Sequence, residues 1–127
     1  MKKLLILLFS ILVLPVSVNA SDVYYCSDTA KIGFKPLDNY RFVHYDEQKF
    51  KILIDFENRK VVSEEIFLGE IWGKYCFRYL DMLNCMSNAG IIFGIDKTNL
   101  KYVRSRIYQD KEYGDDIILA HGTCEKF

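Results

Sequence analysis

The stretch IIFGIDKTNLKYVRSRIY, residues 91–108, decides the predicted fold of this chain. A run of β-branched and aromatic residues leads into the polar tetrapeptide Asp96-Lys97-Thr98-Asn99, and a second such run leads out of it. Two runs of this kind around a short polar turn are the usual signal of a β-hairpin. We therefore predict a hairpin here. Cys85 and Cys124 lie on either side of it in the sequence, and we expect the rest of the chain to be arranged around this sheet.

The segment KFKILIDF, residues 49–56, has the clearest alternation in the chain. Its apolar face consists of Phe50, Ile52, Ile54 and Phe56. A period of two with one apolar face indicates a half-buried antiparallel strand. Further strands are predicted at 22–26, 31–35, 40–45, 61–67 and 117–121. The sequence therefore predicts an all-β domain, a meander of about eight short antiparallel strands that closes into a small barrel or sandwich.

Residues 68–83 are compatible with two structures. Apolar residues recur at helical spacing over the whole segment, which is typical of an amphipathic helix. Two glycines weaken a helix, however, and three aromatic residues alternate as they would on a strand. We favour a strand over Lys74–Leu80, followed by a turn at Asp81–Asn84 that brings Cys76 to Cys85.

Residues 1–20 have the three parts of a secretory signal peptide. Lys2 and Lys3 precede an apolar core at Leu4–Leu14, and the tripeptide VNA ends the segment at Ala20. The apolar core is too short for the roughly 20 residues that a membrane-crossing helix needs. We therefore predict cleavage after Ala20, no membrane span after cleavage, and a periplasmic or secreted protein.

All four cysteines lie within residues 21–127, which we expect to form a single domain. An even number of cysteines in a small exported protein predicts two disulfides. Three pairings are possible. We favour Cys26–Cys124, which joins the two ends of the domain, and Cys76–Cys85, which closes a short loop. A zinc site is the weaker alternative because the sequence has no CxxC pair, and we predict neither a metal nor another cofactor.

The charge balance and the side chains present give no support for nucleic-acid binding or for catalysis. The chain has 17 basic and 17 acidic residues, and loss of Lys2 and Lys3 leaves it slightly acidic. This balance gives no support for binding nucleic acid. His44 and His121 are the only histidines, and neither lies in a recognisable nucleophile motif. We therefore predict a protein without enzymatic activity.

The second strand of the hairpin carries the candidate binding face. Tyrosine and arginine alternate along it, so their side chains share one face of the strand. These are among the residues most enriched at binding hot spots of protein interfaces. The candidate face comprises Tyr102, Arg104, Arg106 and Tyr108. The alternative is an ordinary solvated strand face, with Val103 and Ile107 on the core side.

A set of short motifs spans nearly all of residues 21–127. They are YxC at 24–26, GF at 33–34, KFKILIDF at 49–56, Cys76 with Cys85, FGIDKTNLKY at 93–102 and GTC at 122–124. In this pattern the chain resembles an uncharacterised family of small exported bacterial proteins, a resemblance that implies no particular activity.

A weaker resemblance links the chain to the periplasmic C-type lysozyme inhibitors. That family consists of small β-barrels in which a disulfide ties an early YxC to a late cysteine. Tyr24, Cys26 and Cys124 match this outline. The family's serine-glycine loop has no clear counterpart here, so no inhibitory residues are carried over.

We therefore expect an exported, non-enzymatic protein-binding module of the bacterial envelope, of which an inhibitor is one form. Its partner would be another envelope or extracellular protein. The alternative is a calycin-like carrier of a small apolar ligand, since an eight-stranded barrel has room for side chains or one small ligand. In a carrier, the apolar face of residues 49–56 would line a cavity instead of filling the interior.

Overall fold

The computed structural model describes residues 21–66, 75–88, 90–107 and 116–127, together with the backbone of 69–72. The predicted signal peptide lies outside the described residues. No helix in the described part of the chain is long and apolar enough to cross a membrane.

The described residues form an all-β fold, as predicted. The strands are β1 (Asp22–Lys35), β2 (Arg41–His44), β3 (Lys49–Asp55), β4 (Lys60–Ser63), β5 (Gly69–Trp72), β6 (Cys76–Tyr79), β7 (Met82–Met86), β8 (Ile91–Asp96), β9 (Lys101–Arg106) and β10 (Ile117–Lys126). They make one antiparallel sheet in the order β5-β4-β3-β1-β10-β9-β8-β7-β6, with β2 also paired to β1. The sheet curls into a nearly closed barrel, in which β5 approaches β7.

The first strand is the longest and is continuous, whereas the sequence predicts two strands with a break after Cys26. The pairing of β1 with β10 shifts between Asp28 and Ala30, which marks a β-bulge. The strand on the other side of β1 is the one that is interrupted, because two separate strands pair there. The first half of β1 pairs with β3 and its second half with β2.

The predicted hairpin is confirmed as β8 and β9. Asp96 ends β8 and organises the turn, because its side-chain oxygens accept hydrogen bonds from the backbone nitrogen of Thr98 at 2.7 Å and from the Thr98 hydroxyl at 2.6 Å. Leu100 closes the turn with a left-handed φ of 56° and donates its backbone N–H to the Asp96 carbonyl. Short polar side chains therefore fix the turn, as they do in Asx turns.

The region after β4 contains more strands than predicted. A strand is confirmed at Cys76–Tyr79, in preference to the helix. The expected turn at Asp81–Asn84 is wrong, since the chain reverses at Leu80 and Asp81 and Met82–Met86 already forms β7. Leu83 is fully buried in this strand, and that burial explains why the segment extends along β8.

Both favoured disulfide pairings are confirmed. Cys26 and Cys124 lie directly opposite each other on β1 and β10, and Cys76 and Cys85 do so on β6 and β7. In the chain-entropy model the long closure stabilises the fold by about 4–5 kcal/mol and the short one by about 2–3 kcal/mol. Two disulfides are consistent with an oxidising location outside the cytoplasm.

The barrel interior holds one hydrophobic core. The predicted apolar face of β3 belongs to it, since its four side chains are between 0% and 8% exposed. They pack in one cluster with Val61, Leu83, Phe93 and Ile95. The strand alternation of residues 49–56 therefore predicted both the strand and the face that it buries.

Candidate functional site

The candidate site begins with a buried carboxylate at one end of the core. Tyr24, Cys26 and Asp28 alternate along β1, and all three point into the barrel. The side chain of Asp28 has no exposed surface. A buried carboxylate is costly unless it is paired and hydrogen-bonded, so its partners determine whether this part of the fold is stable.

Four hydrogen bonds satisfy Asp28. The Tyr102 hydroxyl donates to one carboxylate oxygen at 2.6 Å, and the Arg104 Nε donates to the same oxygen at 3.2 Å. The other oxygen accepts from Arg104 Nη2 at 2.6 Å and from the backbone nitrogen of Gln48 at 3.0 Å. Arg104 therefore forms a bidentate pair with the carboxylate through Nε and Nη2, which is the strongest geometry for such a pair.

The network sets the ionisation of both acids in it. Burial by itself would raise the pKa of Asp28, but the hydrogen bonds from Arg104, Tyr102 and Gln48 outweigh burial and hold its pKa below the ordinary value. Burial, reinforced by the hydrogen bond to Asp28, raises the pKa of Tyr102. At neutral pH the pair is thus a carboxylate and a neutral phenol, and Asp28 is a poor proton acceptor.

Aromatic rings connect this network to the core. The Tyr102 ring stacks on Phe93 with centroids 5.6 Å apart, and Phe50 meets Tyr102 edge-on at 5.4 Å. The Arg104 guanidinium lies 5.4 Å from the centroid of Phe50, within range of a cation–π contact. Polar network and apolar core are therefore one packed unit.

The predicted binding face on β9 is wrong as an exposed surface. Tyr102 is 2% exposed and Arg104 is engaged with Asp28 inside the barrel. Tyr108 lies outside the described residues. Val103 and Ile107, which the alternative interpretation places in the core, are instead 51% and 59% exposed. The period of two is correct, but the inner and outer faces are exchanged.

The physical reason is the presence of Asp28. It is paired with Gly122 on β10, which in turn is paired with Tyr102 on β9, so these residues share the inner face. A side chain added at Gly122 would lie only 2.8 Å from the Tyr102 hydroxyl. Glycine thus leaves the space through which Tyr102 reaches the carboxylate.

A pocket of about 130 Å³ opens beside this network, at the end of the barrel where β9 ends and β10 begins. We call this end the mouth. Three cationic side chains line the pocket, Lys31, Arg104 and Arg106, along with Gln48 and Glu65. Its apolar lining comes from Ile66, Ile91 and Ile118. Burial, followed by the charges of Arg104 and Arg106, lowers the pKa of Lys31.

A tyrosine and an aspartate connect two further segments at the mouth. The Tyr45 hydroxyl donates a hydrogen bond to the Asp116 carboxylate. Burial and that hydrogen bond raise the pKa of Tyr45 to about 12. Lys31 lies 5.9 Å from the centroid of the Tyr45 ring. The chain that leads into β3 and the start of β10 are thereby held together beside the pocket.

Exposed apolar side chains are unevenly distributed over the outer surface of the barrel. One side, which we call the apolar wall, carries large exposed apolar side chains on seven neighbouring stretches of strand or adjoining loop. They are Phe34, Phe42, Phe77, Met86, Ile92, Val103, Ile107 and Leu119. Register places Leu119, Ser105, Ile92 and Met86 in one row across four strands. Leu119, Ile92 and Met86 therefore lie in one row, with Ser105 as the polar residue between them.

The opposite side, formed by β3 and β4, is the polar wall. Its outward residues include Lys49, Lys51, Asp55 and Lys60. The backbone nitrogen of Lys51 also donates to the Glu65 carboxylate at 2.8 Å. This side is an ordinary solvated sheet face, which makes the apolar wall the unusual one.

Sequence reasoning missed Asp28, Gln48, Lys31 and the apolar wall. A signal for Asp28 existed, because Cys26 must point inward to reach Cys124 and Asp28 is two residues further along the same strand. No local signal identifies Gln48 or Lys31, since each depends on strand pairings that are distant in sequence.

No group of three or more histidine, cysteine, aspartate or glutamate side chains suited to a metal ion occurs in the described parts of the chain. Comparison with known protein families, with curated proteins and with solved structures finds no match to this chain.

Proposed function

We propose that this protein is an exported, non-enzymatic binding module of the bacterial envelope, periplasmic or secreted, and that it binds a partner protein through its apolar wall. The observation that carries the proposal is the extent of that wall, whose exposed apolar side chains lie on adjacent strands of the sheet. Contiguous exposed apolar patches are uncommon on monomeric soluble proteins and mark interaction surfaces. Inhibition of an envelope or extracellular protein is one form that such binding takes.

The chemistry of the wall indicates what kind of partner fits. The row containing Leu119, Ser105, Ile92 and Met86 has no Asp, Glu, Lys or Arg and continues to His44 on β2. The next row, which runs through Val103, Gly94, Asn84 and Phe77, also has none and continues to His121 on β10. A charged partner surface would lose its hydration here without gaining an ion pair. The partner surface is therefore apolar and largely uncharged.

The state of Asp28 supports binding in preference to catalysis. A general base needs a pKa near the working pH and room for a substrate proton. Asp28 instead has a lowered pKa and four hydrogen-bond donors around it. Its role in the proposal is structural.

The carrier hypothesis ranks second. It needs an apolar ligand inside the barrel, where Phe50, Ile52 and Ile54 already pack with Phe93 and other core residues. A ligand there would have to displace packed side chains, at a cost that a preformed cavity avoids. This packing supports the binding module over the carrier.

Photo-cross-linking in the exporting cell tests the proposal. A photoreactive amino acid is placed at Val103 on the apolar wall or at Tyr25, which is also 51% exposed but lies beside Lys51 and Glu125. We expect a discrete cross-linked species from Val103 and none from Tyr25. The mass of the species distinguishes a partner protein from a second copy of this chain.

Two outcomes would contradict the proposal. The first is equal cross-linking from both positions, which would mean non-specific contact. The second is a product that contains only this chain, which would assign the wall to self-association.

A further inference from the structure

The mouth pocket has a chemistry that the proposed protein contact does not use. Lys31 and Arg104 belong to one inward-facing row, in which each pairs with Ala120 on β10. Arg106 and Ile91 belong to the next row, paired across β8 and β9. The sheet therefore brings cations from two separate strands to one cavity.

Basic side chains outnumber carboxylates among the residues that line the pocket. Asp28 neutralises Arg104 directly, with 2.6 Å between Arg104 Nη2 and the carboxylate. Glu65 lines the pocket as the single carboxylate among its described lining residues, against Lys31 and Arg106. Asp46 also acts on Lys31, but its effect is smaller than the repulsion from Arg104. Among its lining residues alone, the pocket thus has one positive charge in excess, while the carboxylates of Asp46 and Asp116 lie beside it.

Arg106 is the cation best placed to receive a ligand. Its Nε and Nη2 both point at the Asp116 backbone carbonyl, at 3.4 Å and 3.3 Å. These are long contacts to a neutral acceptor, and within the described residues Arg106 forms no ion pair. A guanidinium with two parallel donors matches the two oxygens of a carboxylate.

The remaining lining defines the rest of the ligand. Ile66, Ile91 and Ile118 provide an apolar side to the same cavity. A volume of about 130 Å³ corresponds to roughly ten water-sized spheres, which is enough for a small organic molecule. Lys31 loses part of its hydration, and Arg104 repels it more strongly than Asp28 attracts it, so an anion in the pocket would relieve that repulsion.

We propose that the mouth pocket binds a small carboxylate with a short aliphatic tail, with Arg106 and Lys31 holding the carboxylate and the three isoleucines packing against the tail. The site is separate from the apolar wall, because Arg106 and Lys31 face the inside of the barrel and the wall faces outward. Binding at one site does not require binding at the other.

Butyrate is a suitable probe, and butyramide is its neutral counterpart of nearly the same shape. The experiment follows the backbone amide signals of the disulfide-bonded protein by NMR during titration with each compound. We expect saturable shifts at Lys31, Gln48 and Ile118 with butyrate and none with butyramide. Inorganic phosphate is titrated in parallel, because it offers the anion without the tail.

Matched variants locate the site. Arg106→Gln is expected to weaken butyrate binding about tenfold or more, since it removes a charge-assisted contact. Arg78→Gln removes an arginine at the opposite end of the barrel, where it faces Glu57, and is expected to leave binding unchanged. Lys31→Gln and the exposed control Lys101→Gln form a second pair.

Several results would overturn the proposal. Equal binding of butyramide would show that charge does not matter. Tighter binding of phosphate than of butyrate would assign the pocket to a different anion. Unchanged butyrate binding by a folded Arg106→Gln protein, or shifts confined to residues outside the pocket, would remove the site altogether.

Discussion

The inner face of β9 departs from the usual arrangement of a barrel strand. It carries Tyr102, Arg104 and Arg106, whereas the outer face carries Lys101, Val103 and Ser105. On β3 the arrangement is the ordinary one, with phenylalanine and isoleucine inside and lysine outside. The difference teaches that one buried partner, Asp28, determines which face of β9 points inward, and that Val103 is left on the surface as a result.

The largest expected loss of stability comes from removing Asp28 on the inner face. Asp28→Ala leaves the Arg104 guanidinium buried without its counter-charge, and removal of one partner of a buried pair costs about 3–5 kcal/mol. Chemical denaturation measures this loss. Glu57→Ala is the control, because its pairs with Lys97 and Arg78 are exposed and worth about 0–1 kcal/mol. Similar losses for the two variants would contradict the buried role of Asp28.

The same carboxylate makes stability depend on pH on the acid side. The pKa of Asp28 in the folded protein lies below its ordinary value of 3.8, so the folded state binds the proton less readily than the unfolded state. Its contribution is therefore complete above about pH 4 and declines as pH falls toward the lowered pKa. Unfolding curves at a series of acidic pH values measure the decline. Asp28→Asn should lose this part of the pH dependence, and an unchanged profile would contradict the assignment.

Two glycines, Gly122 on β10 and Gly94 on β8, allow the inner and outer faces to be compared. A Cβ at Gly122 would lie 2.0 Å from the Ser27 carbonyl oxygen, a backbone atom, on the inner face. A Cβ at Gly94 would meet the Asn84 side-chain oxygen at 2.7 Å on the outer face, and that side chain is free to rotate away. We expect Gly122→Ala to cost about 1–3 kcal/mol and Gly94→Ala much less. Thermal unfolding compares the two, and the reverse order would show that the faces are misassigned.

The smallest expected effect on stability is at the outer face. Val103→Lys replaces a side chain that is already half exposed, so the free energy of unfolding should change by less than about 0.5 kcal/mol. Denaturant titration measures it. A loss of several kcal/mol would mean that Val103 belongs to the core, as the sequence alone indicates.

The sequence predicted those parts of the fold that depend on local patterns. The turn at residues 96–99, the alternation of residues 49–56 and the strand character around Cys76 are all properties of short segments. The disulfide pairings followed from the length of the loops and the position of the cysteines. These features require no knowledge of which strands become neighbours.

The rest depends on pairings that are distant in sequence. Alternation on β9 shows that two faces exist, but only the partner Asp28, 74 residues away from Tyr102, determines which one is buried. Apolarity favoured Val103 for the core, and a hydrogen-bonded carboxylate overrode it. The sequence predicts a turn at Asp81–Asn84, where β7 begins, because MLNCM mixes polar and apolar residues without clear alternation.

The most direct test of the apolar wall as a binding surface measures both the Tm and the cross-link to the partner in one variant, Leu119→Lys. Leu119 is 54% exposed in the central row of the apolar wall. We expect the Tm to stay within about 3 °C of the unmodified protein, while the cross-link from a photoreactive residue at Val103 disappears. Loss of the cross-link with an intact fold would establish the apolar wall as the binding surface. A persistent cross-link to the same partner in a folded variant would contradict the account.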